Sequence, residues 1–255
     1  MNRLLQGWLL GMYRGARRSG ILATGPGNAL FECAYWAYKS VLEAGDIEPL
    51  RHYVAPGRTV IDVGANLGFF TLHFARWTGP GGRVIAIEAE QHNFLSLARR
   101  VERAGYASIV TTVHAAAAER SGELRLALNA DNPADHRLAA AGVAVRATTV
   151  DALVEATGWQ AVSLIKIDVQ GAEGRVLAGA AGTLRRFRPA LFLEIDGQGL
   201  QFAGSSAAEL LRQLQDEGYR PHALERGGVS AALAPGAVEE RVRARGYADF
   251  LFLAA

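Results

Sequence analysis

Val60-Ile-Asp-Val-Gly-Ala-Asn-Leu-Gly68 decides how this chain folds. Val60, Ile61 and Val63 are β-branched, as a strand prefers. Gly64, Asn66 and Gly68 then make a turn, and an apolar helical spacing begins at once with Leu67, Phe70, Thr71, Phe74 and Trp77. Strand, glycine turn and helix in that order aim backbone N–H groups and a helix N-terminus at a ligand. The two glycines let the backbone approach that ligand with no Cβ in the way. Asn66 stands where a third glycine would, and asparagine tolerates left-handed backbone.

Outward from this stretch, strands and helices alternate. Strands are expected at 58–63, 83–88, 108–114, 162–168 and 189–195, and helices at 67–77, 91–104, 172–184 and 205–217. Val162-Ser-Leu-Ile-Lys-Ile-Asp168 and Pro189-Ala-Leu-Phe-Leu-Glu-Ile195 are nearly continuous apolar runs, as strands covered on both faces require. Strands joined through helices make right-handed crossovers and a doubly wound α/β sheet. Two places depart from the alternation. Between about 122 and 150, the runs Leu124–Leu128 and Val143–Val150 flank a polar connection and form a hairpin excursion. At the end, Tyr219–Leu224 and Tyr247–Leu253 form an antiparallel pair.

In such a sheet the ligand lies beyond the C-terminal strand ends, where the strand order reverses. The first strand reaches that edge at Asp62 and the second at Glu88, which follows Gly68 by 20 residues. An acid about 20 residues beyond a glycine turn is placed for ribose hydroxyls. The turn lacks G-x-G-x-x-G, and no lysine follows it as in a phosphate loop. The ligand is therefore a nucleoside with a neutral or cationic arm, and Asp62 suits an ammonium on that arm.

Asp62-Val-Gly-Ala-Asn-Leu-Gly68 resembles the first motif of class I S-adenosylmethionine-dependent methyltransferases, in the form found in the FkbM family. Lys166-Ile-Asp-Val-Gln-Gly-Ala-Glu173 resembles that family's second signature, and Leu193-Glu194-Ile195 its following strand. The resemblance covers about residues 45 to 253. It implies a Rossmann-like sheet of seven strands, mostly parallel, in the order 3-2-1-4-5-7-6 with the last strand antiparallel. It also implies S-adenosylmethionine as cofactor and S-adenosylhomocysteine as product. The turn residues Asp62, Gly64, Ala65, Asn66, Gly68 and Phe69 would contact it, Glu88 and Ala89 would lie at the ribose, Ala115 and Ala116 near the adenine, and Asp168 at the fourth strand end. FkbM-type enzymes are associated with O-methylation of natural products and glycans.

Methyl transfer to a hydroxyl needs alignment and a base for the acceptor proton. Asp168 and Glu194 at the strand ends and His136 in the excursion are the catalytic candidates. Asn132, Asp135 and Arg137, in an N-x-x-D-H-R segment similar to one in some family members, are assigned with Glu173 and Asp196 to substrate binding. Glu173 serves equally well as a carboxylate on its helix's first turn. Asp168 and Glu194 could hold a divalent metal, but no metal is expected and none is assigned.

The remaining sequence narrows the partners. The chain has 255 residues, half of them hydrophobic, and 27 Lys plus Arg against 25 Asp plus Glu. That balance gives no reason to invoke nucleic acid. The single cysteine, Cys33, excludes an internal disulfide and reads as a small buried hydrophobe. Residues 1–50 form a helical N-terminal cap ahead of a methyltransferase domain at 51–255. Tyr35, Trp36 and Tyr38 give that cap an aromatic face for packing on the domain. Its first segment, ending in Arg14, Arg17 and Arg18, reads as an amphipathic helix for docking on the domain or a partner subunit, with a membrane surface as the sharper possibility. The expected acceptor is a small molecule or glycan, the setting cytoplasmic, and a homo-oligomer is compatible. The alternatives are an RNA methyltransferase and a non-catalytic S-adenosylmethionine-binding module. The stretch Ile167-Asp-Val-Gln170 lacks the [ND]-P-P-[YF] motif of nucleobase N-methylation.

Overall fold

The computed structural model describes residues 47–129, 136–225 and 227–255, together with Gly11, Gly15, Gly27 and Trp36. Cys33, Tyr35, Tyr38, Asn132, Asp135 and nearly all of the N-terminal cap lie outside the described residues.

A 3-10 helix at Glu48–Tyr53 leads into β1 (Thr59–Val63), α1 (Phe69–Thr78), β2 (Arg83–Glu88), α2 (Gln91–Arg103) and β3 (Val110–His114). The chain leaves the main sheet through β4 (Ala116–Ala117), β5 (Gly122–Ala127), β6 (Arg137–Leu138) and β7 (Val143–Thr148), then returns through α3 (Val150–Ala156) to β8 (Val162–Ile167). Next come α4 (Glu173–Ala178), α5 (Ala181–Phe187), β9 (Ala190–Asp196), α6 (Gly197–Phe202), α7 (Ala207–Asp216) and β10 (Tyr219–His222). The short strands β11 (Leu224–Glu225) and β12 (Gly228–Val229), α8 (Pro235–Arg245) and β13 (Tyr247–Ala254) finish it.

The main sheet runs β10-β13-β9-β8-β1-β2-β3. Counted along the chain this is 3-2-1-4-5-7-6, with β13 antiparallel to both its neighbours. It is the sheet expected from the sequence. Its central strands β1, β2, β8 and β9 bury both faces. Ile61, Val63, Ile85, Ile87, Ile165 and Ile167 pack on one side, with Val154, Val176, Leu184 and Leu211 from the helices. Val60, Val84, Leu164 and Phe192 pack on the other, with Phe69 and Phe74 of α1 and Leu97 of α2. Side chains alternate along a strand, so Asp62 and Lys166 fall on this second side, beneath α1. Trp36 meets Phe69 edge-on at 5.7 Å between ring centroids, and the Arg100 guanidinium lies 5.1 Å from its ring.

The excursion is a second, four-stranded sheet, β4-β7-β5-β6, rather than a bare hairpin. The expected helix at 172–184 is two helices. Gly179 caps the first, and a Cβ there would stand 2.0 Å from the carbonyl oxygen of Ala118. The Asp151 carboxylate accepts the N–H groups of Gly182 and Thr183, both at 2.8 Å, which opens the second. The run expected as a strand to Val150 stops at Thr148, because the Thr149 hydroxyl accepts from the N–H of Ala152 at 3.0 Å and starts α3. Among the described residues, no helix is long and apolar enough to cross a membrane.

Candidate active site

The turn between β1 and α1 is closed from inside. The N–H groups of Gly64 and Ala65 both donate to the carbonyl of Ile87 at 3.0 Å, that of Gly68 to Ala65 at 2.8 Å, and that of Asn66 to Glu88 Oε2 at 2.7 Å. Asn66 sits at φ 48°, the left-handed conformation its side chain tolerates. The expectation that the turn itself aims these N–H groups at a ligand is therefore corrected. At the start of α1, the N-cap Gly68 supplies no side-chain hydrogen bond. The first N–H groups of α1 have no partner within the helix.

The glycines also have another purpose than expected. A Cβ on Gly64 would stand 1.9 Å from the carbonyl oxygen of Asp168, and one on Gly68 would stand 2.8 Å from Leu97 Cδ1. They make room for the neighbouring strand end and for α2. Ala65 and Phe69 are buried behind them.

Glu88 ends β2 with both oxygens occupied by backbone, Oε2 on Asn66 and Oε1 on the N–H of Glu90 at 2.9 Å. Burial pushes its carboxyl up to about 7, against the lowering pull of those two N–H groups and of Lys166. A carboxylate has about four lone-pair sites, so each oxygen keeps acceptor capacity for a hydroxyl. Ala115 and Ala116 follow β3 beside it and are buried, the N–H of Ala115 donating to the Glu88 carbonyl at 3.1 Å. Ala89 packs half-buried on the cluster of Ala116, Leu126 and Val145.

Asp62 does not reach the cleft. It is fully buried, its Oδ2 accepts from the Thr71 hydroxyl at 2.6 Å, and its Oδ1 lies 3.4 Å from the Lys166 ammonium. The expected contact with a ligand ammonium gives way to this internal pair.

The second signature forms the other wall. Asp168 stands beyond β8, its side chain about a third exposed. Gln170, at φ 52°, donates its amide to Asp168 Oδ1 at 3.2 Å and to Glu194 Oε1 at 2.8 Å. One amide thus joins the two carboxylates assigned to catalysis, on neighbouring strand ends. Gly171 is required next, because its Cβ would stand 2.2 Å from the carbonyl oxygen of Gly199.

Glu173 is buried below this turn, where Oε1 accepts from the N–H of Gly171 at 3.0 Å. Its Oε2 has no hydrogen-bond partner among the described residues. Burial pushes this carboxyl up to about 7 as well. Glu173 is therefore a support for the loop, and its assignment to substrate binding is corrected.

Arg137 and Asp196 do come together, at 3.0 Å, and tie the small sheet to the end of β9. Asp196 also caps α6 through the N–H of Gln198 at 3.0 Å. His136 has its Nδ1 engaged, accepting from the N–H of Asn129 at 3.0 Å. A neutral ring in that arrangement carries its proton on Nε2, which makes that nitrogen a donor.

Sequence reasoning missed Gln170 and Lys166. Lys166 is buried, and its Nζ donates to the carbonyl of Gly64 at 2.8 Å.

The raised carboxyls predict how stability varies with pH. Each is higher in the folded chain than the ordinary 4.5, so the folded state holds the extra protons. That contribution is complete below about 4.5 and is lost as pH rises through about 7. Glu173→Gln should remove its share, which for a shift of this size is on the order of 3 kcal/mol. Urea unfolding at pH 5 and pH 8 should show the variant gaining on the wild type at the higher pH. An identical difference at both would remove Glu173 from this account.

Residues 62–221 match the Methyltransferase FkbM domain family. The chain belongs to the FkbM methyltransferase family. The FkbM match begins on Asp62 of β1 and reaches Pro221 of β10, so it takes in the turn, Glu88 and the whole second signature. An FkbM methyltransferase from Methylobacillus flagellatus KT is 18% identical, with a TM-score of 0.49, over 77% of this chain and 43% of that one. An O-methyltransferase from Bacillus cereus in complex with SAH is 16% identical, with a TM-score of 0.47, over 84% of this chain and 81% of that one. A protein-L-isoaspartate O-methyltransferase of Triticum aestivum is 33% identical over 69 residues, 27% of this chain and 30% of that protein. The chain spans less than half the length of the Triticum and Methylobacillus proteins.

FkbM membership implies S-adenosylmethionine as the cofactor, and the residues fit it. Glu88 retains acceptor capacity at the strand end where a ribose diol would donate, and α1 begins without a side-chain cap.

Proposed function

We propose that this chain is an S-adenosylmethionine-dependent O-methyltransferase acting on a hydroxyl of a natural product, sugar or glycan. The observation that carries the proposal is the pair Asp168 and Glu194, held by the one amide of Gln170 at the cleft edge beside the cofactor turn. An aliphatic hydroxyl attacks poorly until a base takes its proton. Two half-buried carboxylates on adjoining strand ends can receive the acceptor hydroxyl and its proton. Bound S-adenosylmethionine supplies a methyl group already activated on a sulfonium.

Glu88 would hold the ribose hydroxyls and the start of α1 the methionyl end. Asp168 would take the acceptor proton, with Glu194 beside it. Arg137 and Asp196, paired at 3.0 Å, would border the acceptor side together with the excursion. A small-molecule or glycan acceptor in a cytoplasmic setting completes the proposal.

The test is a labelled-methyl transfer screen over sugars, polyketides, peptides and RNA, read by mass spectrometry. Label should appear on a hydroxyl oxygen of a non-nucleic-acid acceptor. Label only on RNA would establish the competing activity. On the acceptor found, Asp168→Asn should lower turnover about a hundredfold, the lower range for a lost general base. Its affinity for S-adenosylhomocysteine should change far less. A variant with full turnover would move the base away from Asp168.

A further inference from the structure

Lys166 joins the two walls of the site. It sits in β8 directly opposite Asp62 in the strand register, on the side of the sheet covered by α1. Its ammonium lies 5.1 Å from the Phe70 ring centroid. Both carboxylates near it, Asp62 Oδ1 and Asp168 Oδ2, are at 3.4 Å. The shortest of these polar contacts goes to neither: Nζ donates to the carbonyl oxygen of Gly64 at 2.8 Å. A buried ammonium needs acceptors for all three of its N–H groups, and the Gly64 carbonyl is the acceptor it approaches most closely.

The consequence follows from peptide planarity. Fixing the Gly64 carbonyl fixes the plane that carries the Ala65 N–H. That N–H is bonded to Ile87, one residue before Glu88. The same ammonium has three donors and faces Asp168 across the strand end.

We propose that Lys166 is a positioning residue whose ammonium fixes the Gly64 carbonyl and the Asp168 carboxylate relative to each other, so that the cofactor turn and the acceptor-side carboxylate form one rigid unit. The proposal rests on the turn being the S-adenosylmethionine site. Lys166 touches neither the cofactor nor the acceptor in this role. It acts through Gly64 and Asp168.

Removing Lys166 alone would leave Asp62 buried and unpaired, which threatens the fold itself. The test therefore uses two double variants, Asp62→Asn with Lys166→Met and Asp62→Asn with Lys166→Gln. Both remove the buried pair together. Only the glutamine offers a donor to the Gly64 carbonyl.

Binding of S-adenosylhomocysteine is measured by calorimetry, and thermal melting without ligand is measured alongside. The methionine variant should bind about tenfold or more weakly than the wild type, the effect of one hydrogen bond to a charged group. The glutamine variant should recover part of that loss while melting with the methionine variant. The proposal is overturned if the methionine variant binds within about twofold of the wild type, or if the two variants bind alike. It is also overturned if neither variant unfolds cooperatively, since the ammonium would then hold the fold rather than the turn. Failure of the wild type to bind is a separate result. It removes the cofactor site, and this role with it.

Discussion

Glu88→Ala should weaken binding of S-adenosylhomocysteine by about a hundredfold or more, because two hydrogen bonds to a charged group contribute about 1.5–3 kcal/mol each. The carboxylate does two things at once. It would accept from the ribose diol, and it holds the turn through the N–H of Asn66 while anchoring the start of α2 through Glu90. Alanine removes the ribose contact and leaves both N–H groups without their acceptor. Calorimetry at pH 8 is the measurement, and an unchanged affinity would take the ribose away from Glu88.

The raised carboxyl adds a signature to the same experiment. Hydroxyls donate to the ionised form, so binding to the wild type should tighten as pH rises through about 7. This is the opposite sense to the stability contribution of the same group. A ligand that restores hydrogen bonds to the anion offsets the burial that disfavours it. Glu88→Gln should lose most of the affinity and all of this pH dependence. A glutamine can satisfy only one of the two N–H groups, since its amide nitrogen would face the other.

Much of this site is written in local sequence, and the rest depends on register. Thr59–Val63, the glycine turn and α1 follow from β-branching, turn residues and helical spacing within twenty residues. Glu88 follows from a single distance along the chain. The pair Asp62 and Lys166 does not, because in isolation Asp62 reads as a strand-end acid for a ligand and Lys166 as a polar interruption of an apolar strand. Only when β1 and β8 align side by side do the two become partners. Gln170 is hidden for a different reason: its role depends on a left-handed backbone that lets one amide reach two strand ends. Gln-Gly at a strand end was the available signal. The helix α8 is faint in the sequence because it buries only two residues, Val238 and Val242, too few to set a clear helical period. The start of α3 could have been found, since Thr149-Val-Asp carries both a cap residue and an acid in the first turn.

Gly64→Ala should unfold or severely destabilise the domain, by about 4 kcal/mol or more, a size reached by few single substitutions. Two effects combine. Gly64 has φ 74°, which costs a residue with a Cβ about 1 kcal/mol or somewhat more. The added carbon would then stand 1.9 Å from the Asp168 carbonyl oxygen and 3.0 Å from its carbon. Those are backbone atoms, and Asp168 is tied in turn by its own N–H to the Val63 carbonyl at 3.1 Å. No rotamer change relieves the overlap, so the ends of β1 and β8 must separate. Gly81→Ala is the control: it has φ 84° with nothing within 4 Å of its would-be Cβ, and carries only the conformational cost. Urea unfolding of both variants separates the two effects, and equal losses would show that the close approach contributes nothing. The difference also decides what the first glycine of the turn is for. A glycine kept for a ligand would cost affinity and leave the unliganded protein as stable as its control. A glycine that makes room for the neighbouring strand fails before any ligand arrives, and takes Lys166, Asp168 and the cofactor turn with it.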